Sequence, residues 1–403
     1  MKSRKVREDL RKRALSALSK PSTYGLDIDL SRFTASLGSD IMDIGSYTDA
    51  MLSVGVDPEE RGRGGSYYQI DNVAAYFSSR YKGLIVKPIS EALEDESILE
   101  YYWKAVPVDL DKYTATAFLY EKDGYYIEVK DGVEIPIPVQ ACILLKSPSL
   151  IQVPHNIVVV GEGSKLHLIT GCTVARENPG VHIGVSEFYV KKNGLLTFTM
   201  IHSWSKGMHI RPRTIVYVED GGIFISQYIS TSLVDSIQSY PTIHLVGENS
   251  SSHLSSIIIG RGSSHIDVGG AIELKAPGST GEVTSRVISM DESRITSRGR
   301  ISGFTRGVKG HIECRGLILS ENSSIYAIPE LEAKAYDVQL THEAAVGRIA
   351  EEEIIYLMAK GFTEDEARSM IIRGFLQPKI PIQLPKQLVD YLSIAMEKIA
   401  YAL

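Results

Sequence analysis

The sequence predicts a mainly β protein, a solenoid of stacked short strands with helical regions at its N- and C-termini. Three observations carry this. Between residues 150 and 335, β-rich runs alternate with polar turns in HNIVVVGEGSKLHLI, EFYVKKNGLLTFTMI, TIVYVEDGGIFISQYI, TIHLVGENSSSHLSSI and GLILSENSSIYAI. The turns recur near Glu162, Lys192, Glu219, Glu248 and Glu321, and the first four lie 30, 27 and 29 residues apart. That spacing lies within the roughly 20–50-residue periods of stacked repeats. No helical pattern interrupts the stretch, whereas both flanks have helical spacing. Antiparallel hairpins would give the same local signal. The number of units and the lack of helical connections favour a β-helix, without the hexapeptide period of left-handed ones.

The elements follow in order. Leu10, Ala14, Leu15 and Leu18 form an apolar stripe opposite Lys and Arg, so residues 1–20 read as an amphipathic helix stopped by Pro21, to be packed on its own domain or on a partner. Residues 39–60 read as one or two short helices ending at Gly55 and Asp57-Pro58. RGRGGS at 61–66 reads as a surface turn, because no GK[ST] or completed GxGxxG makes it a phosphate cradle. SEALEDESILEYYWKAV has helical composition, while TATAFLYEKD and GYYIEVKDGVEIPIPVQACILL read as strands. Past Pro329 the pattern turns helical. Ile354, Ile355, Leu357 and Met358 form one face, Thr363 and Glu366 make a capping box, and Leu388, Leu392, Ala395 and Ile399 mark a last helix beyond a linker with Pro378, Pro381 and Pro385. The expected division is a mixed N-terminal region at 1–149, a β-helix core at 150–335 and a helical C-terminal region at 336–403.

A chain of 403 residues with 43% apolar and 23% charged residues is an ordinary globular one. A net charge of −6 argues against a nucleic-acid partner. No apolar run approaches the ~20 residues that span a bilayer. The basic N-terminus lacks the apolar core of a signal peptide. Cys142, Cys172 and Cys314 are too few and too scattered for a disulfide framework or an all-cysteine zinc site, so a reducing cytoplasm is expected. A thiol, an imidazole and a carboxylate (Cys314, His342 and Glu343) flank the change from strand to helix and could bind metal or do acid–base work. Cys142, His155, His167 and His311 read as core or strand-surface residues.

The segment THEAAVGRIAEEEIIYLMAKGFTEDEARSMIIRGF resembles the C-terminal signature of the SufB/SufD family, scaffold subunits of the SUF iron–sulfur cluster assembly machinery. The matching residues are His342-Glu343-Ala344, Arg348-Ile349, Glu351 to Glu353, Tyr356-Leu357, Lys360-Gly361 and Gly374-Phe375. The similarity extends back through the repeats to about residue 150. It implies a right-handed parallel β-helix that does not itself hydrolyse ATP and pairs with a SufC-like ABC ATPase through its C-terminal helices.

By that resemblance Cys314 and Glu343 match SufB cluster-assembly residues, and His342 matches the histidine that functions across the interface in SufD. Carrying both half-sites implies a homodimer in place of the SufB–SufD pair, though pairing with a paralogue stays open, with the cluster site at the two-fold interface. Thr170-Gly171-Cys172-Thr173 resembles the EGCT element whose cysteine accepts sulfur, from a donor such as a cysteine desulfurase. His202-Ser203-Trp204 resembles QNW, the lining of the sulfur path, with only Trp204 retained. Arg211 and Arg213 are the nearest candidates for a basic residue that follows it. A transient iron–sulfur cluster is implied as cargo, and reduced flavin as a further participant. Two other readings remain: a SufD-like structural subunit without its own cluster, and a β-helix carbohydrate-active enzyme using acids such as Asp291 and Glu292.

Overall fold

The computed structural model describes residues 2–35, 44–59 and 62–376. Its body is a parallel β-solenoid of about eight turns. One sheet stacks the strands Gly65–Ile70, Val139–Leu145, Lys165–Val174, Leu195–Ser203, Ile223–Ser230, Ser251–Gly260, Thr280–Ser289, Val308–Ile318 and Val338–Gly347, all parallel and in that spatial order. A second sheet returns the chain on the other side of each coil. The register Lys165↔Leu195↔Ile223↔Ser251↔Thr280↔Lys309↔Gln339 steps by 28 to 30 residues, so residues one coil apart in sequence lie side by side.

The polar turns keep this register. Gly163, Asn193, Gly221, Asn249, Gly278, Gly307 and Asp337 all have positive φ, one to a coil. Glycine takes that conformation without strain, and Asn and Asp tolerate it best among the others. The turns also bond to one another: the amide of Gly163 donates to Lys192, that of Asn193 to Asp220, and that of Gly221 to Glu248. A short polar residue at this point in each coil is therefore a requirement of stacking.

Side chains alternate across each strand. Those pointing inward, such as Leu168, Phe198, Leu254, Val283 and Ile312, form the continuous apolar interior. On the outer face of the first sheet, Ile201, Ile229 and Ile257 are covered by Met51, Val54 and Val56 from one side of the chain and by Ile372 and Leu376 of the C-terminal helix from the other. The helix Lys2–Ala17 and the region 89–118 cover the outer face of the second sheet, with Leu10, Ala14, Tyr102 and Trp103 buried against Ile157, Val159 and Val185.

Four expectations are corrected. TATAFLY is not a strand but most of the helix Lys112–Tyr120, because Asp111 caps it with a complete capping box to Thr114 and overrides the β-favouring composition. RGRGGS is not a surface turn: Arg63 and Gly64 are buried, and Gly65 and Ser66 open a fully buried strand. A side chain at Gly64 would come within 2.7 Å of the Ile137 carbonyl, so the glycine is there for close backbone approach. The helical composition at 90–106 yields only the short helices Ile89–Ala92 and Glu96–Glu100. Regular coils also run past residue 335 to Gly347, so His342 and Glu343 lie within the last strand and not at its junction with the helices. The helices Glu351–Met358 and Glu364–Leu376 follow, the second capped by Thr363 and Glu366 as expected. The linker and helix expected beyond residue 377 lie outside the described residues.

Candidate functional site

The last two coils place the expected site. Cys314 points into the solenoid and is buried. Its neighbour in register is Ala344, and the register Ile312↔His342 puts the imidazole on the same side of the sheet as the thiol, one strand over and two residues along. Glu343 faces the opposite side, beside Glu313. One chain thus brings Cys314 and His342 to one face and leaves Glu343 on the other, on a strand whose residues are largely exposed.

Glu343 has company that sequence reasoning passed over. His311, Glu313 and Glu343 present ligand atoms all within 4.8 Å of one another. Two guanidiniums balance the carboxylates: Arg315 reaches Glu313 at 2.7 Å and Glu343 at 3.7 Å, and Arg286 reaches Glu313 at 3.1 Å. His311 pairs through Nδ1 with Thr341. The group is a cation-binding arrangement already held by cations, and an incoming ferrous ion would compete with Arg315.

Near the other end, Cys172 is fully buried, and burial pushes its thiol well above the usual range. His202 sits beside it in register on the next coil. Trp204 packs at 5.4 Å from the His202 ring and 4.9 Å from that of His182, a residue not singled out from sequence. Burial drives both imidazoles down, His182 to about 3, so both are neutral. His182 Nδ1 pairs with Gln152 at 2.8 Å, and His202 Nδ1 with the Tyr228 hydroxyl at 2.9 Å.

A small cavity of about 60 Å³ lies on the strands between those of the two cysteines, neither of which lines it; Met200, His202, Tyr228, Leu254 and Ser285 are among its walls. In register, Thr170, Met200, Tyr228, Ser256, Ser285 and Cys314 form one inward-facing column. Met200 and Tyr228 point inward yet are only half-buried, because they face this space. Cys172 Sγ lies 3.7 Å from Met200 Sδ at the head of the column. Five strand steps separate Cys172 from Cys314, roughly 24 Å at ~4.8 Å per step.

The other candidates have structural roles. Cys142 is buried against Met51 and Val54, and burial pushes its thiol up to about 12. Arg211 is fully buried and donates to the Leu26 carbonyl and Ser236, while Arg213 pairs with Asp111. Both tie the N-terminal region to the solenoid, away from the cavity. Asp291 accepts from the Gly262 amide inside a turn. His155 lies between Glu121 and Glu187, at 2.8 Å from the latter, and the carboxylate of Glu187 also takes the amides of Trp103, Ala105 and Val106. Burial alone would lower the His155 pKa, but the two carboxylates outweigh it and raise it to about 9.

A family model described as SUF system FeS cluster assembly, SufBD core domain, matches residues 143–375. An iron–sulfur cluster assembly SufBD family protein of Methanothermobacter thermautotrophicus is 44% identical over 385 residues, covering 92% of this chain and 94% of that one. A SufBD family protein of Archaeoglobus fulgidus is 42% identical over 356 residues, covering 88% and 95%. The iron–sulfur cluster assembly protein SufB of Bacillus subtilis is 29% identical over 327 residues, covering 78% and 70%.

Proposed function

Because the chain belongs to the SufBD family of iron–sulfur cluster assembly proteins, we propose that it is a scaffold that takes up sulfur at Cys172 and builds a labile cluster around Cys314. The observation that supports this reading is the inward-facing column in register between the strands of the two cysteines, with a small cavity beside its middle. In this reading the Cys172 thiol attacks the terminal sulfur of a donor persulfide, such as that of a cysteine desulfurase, and its proton passes to the departing donor sulfur. The donor leaves as its thiol, and Cys172 carries the persulfide. Releasing that sulfur as sulfide takes two electrons, a role for reduced flavin. In this reading the sulfur then passes along the inward-facing column toward Cys314.

At the receiving end the donor set is mixed: thiolate, imidazole and carboxylate. Such a set holds iron more loosely than four cysteines do, which suits a protein that must hand its cluster on. Since Glu343 faces away from Cys314 within one chain, the set is completed across a two-fold contact of last coils, in a homodimer or with a SufBD paralogue. The exposed edge Val338–Gly347, which pairs with no further strand among the described residues, supports such a contact. A SufC-like ABC ATPase would dock on the C-terminal helices, where Ile355, Tyr356, Met358, Phe362 and Met370 are exposed.

Anaerobic reconstitution of the full chain with ferrous iron and sulfide tests the site. The chromophore should fall at least several-fold in both Cys314→Ala and Glu343→Ala. Unchanged iron and sulfide content in both variants would refute the assignment. A stable complex with the ATPase that carries no cluster would favour the structural-subunit reading instead.

A further inference from the structure

Among the described residues, a second group of metal-ligating side chains converges far from the last coil. Cys172, His182 and His202 present ligand atoms within 4.8 Å of one another, and all three are at most 2% exposed. We propose that these three residues form a binding site for a borderline-soft divalent transition-metal ion, zinc or ferrous iron, inside the solenoid. This goes beyond the scaffold reading and does not rest on it.

Three features of the site support the assignment. His202 Nε2 is buried and has no hydrogen-bond partner, and coordination would give it one. Each ring is held by an outer partner on Nδ1, as metal-bound histidines usually are. For His182 the tautomer is settled. Gln152 spends its amide NH₂ on the carbonyls of Asp71 and Leu144, so its Oε1 must accept from His182 Nδ1–H, which leaves Nε2 with a lone pair. Finally, the thioether of Met200 lies 3.7 Å from Cys172 Sγ and offers a weak fourth donor beside the cavity. Tetrahedral coordination at ~2.0 Å to nitrogen and ~2.3 Å to sulfur requires the three side chains to draw in by about an ångström.

The ion would also settle the state of a thiol that burial otherwise keeps protonated, because a coordinated thiol gives up its proton. One sulfur cannot hold the ion and a persulfide at once. The metal-loaded protein should therefore be protected from sulfur loading until the ion leaves.

The test uses the full chain carrying Cys314→Ala, so that no thiol of the last coil contributes. Anaerobic Co²⁺ titration should give, at one equivalent, a near-ultraviolet thiolate-to-cobalt charge-transfer band with intense four-coordinate visible bands. Adding Cys172→Ser should abolish the charge-transfer band, and His182→Gln or His202→Gln should weaken binding at least tenfold. Separate Zn²⁺ and Fe²⁺ competition arms identify which ion displaces cobalt more tightly. X-ray absorption of the Zn²⁺-loaded Cys314→Ala protein needs no change at the site and should show one sulfur and two imidazoles. A charge-transfer band that survives Cys172→Ser, or a zinc shell without sulfur, would overturn the proposal. Failure of the scaffold reading shows instead in iron–sulfide reconstitution, which this experiment does not use.

Discussion

Glu313 shows how the charge state of a single site is set. It takes hydrogen bonds from two arginines, and Arg315 also reaches toward Glu343. Arg315 is exposed enough for solvent to weaken its attraction, so its removal should leave the fold intact while taking one of two guanidiniums from Glu313 and the one near Glu343. Arg315→Ala is expected to tighten Mn²⁺ or Fe²⁺ binding at His311, Glu313 and Glu343 by several-fold, about 1 kcal/mol, as read by calorimetry. His155 gives a second prediction. Its pKa is raised to about 9 in the folded protein. Its contribution is therefore fully present below an unfolded pKa near ~6.5 and disappears as pH rises through the folded value. That contribution is on the order of 3 kcal/mol. Glu121, held low by His155 after burial is offset, acts in the opposite direction, and its contribution is lost as pH falls through its depressed pKa. Denaturation followed between pH 6.5 and 10 should show wild type losing stability on the alkaline side, while His155→Gln starts lower and changes little.

At the scale of elements, the backbone of one coil lies against the next with no room to spare. Gly124 precedes the strand Tyr125–Val129, and a Cβ there would fall 1.9 Å from the His155 carbonyl oxygen. Gly124→Ala is expected to cost at least ~3 kcal/mol and to loosen the clamp around His155 as well, which denaturant unfolding would detect. The turns explain what was readable in sequence. Each needs one residue of positive φ per coil, so Gly, Asn and Asp recur with the coil period and announce the solenoid. The helix Lys112–Tyr120 was not readable from composition, because its threonines and aromatics favour strands and only the Asp111 cap decides otherwise. Family likeness supplied Cys172, Cys314, His342 and Glu343 as candidates. Of their structural neighbours, His182 and Glu313 were not singled out and His311 was read as a strand-surface or core residue, although one signal existed. Glu313 stands opposite Glu343 and Cys172 opposite His202, each pair one coil apart. Once the period is known, polar residues separated by one period can be read as neighbours. His182 escapes even that rule, since it reaches Cys172 from the other sheet.

The whole molecule has two unlike ends. At the N-terminal end the first sheet and one arm of the second finish in a strand running backward, Val73–Ser79 and Leu84–Pro88, while the other arm ends in the parallel strand Leu150–Gln152, and helices cover part of that region. At the C-terminal end the parallel ladder stops at Val338–Gly347 with its pattern unbroken. An end of that kind can meet a copy of itself about a two-fold axis, but it does not match the reversed strands at the other end. Light scattering over a wide concentration range should therefore show a mass that rises from one chain to two and then stays constant. Stacked-coil proteins run the risk of polymerising, because every coil is a template for the next. Here the reversed strands act as chain terminators on one side: they turn two of the N-terminal sheet edges away from the parallel pattern that a further coil would need.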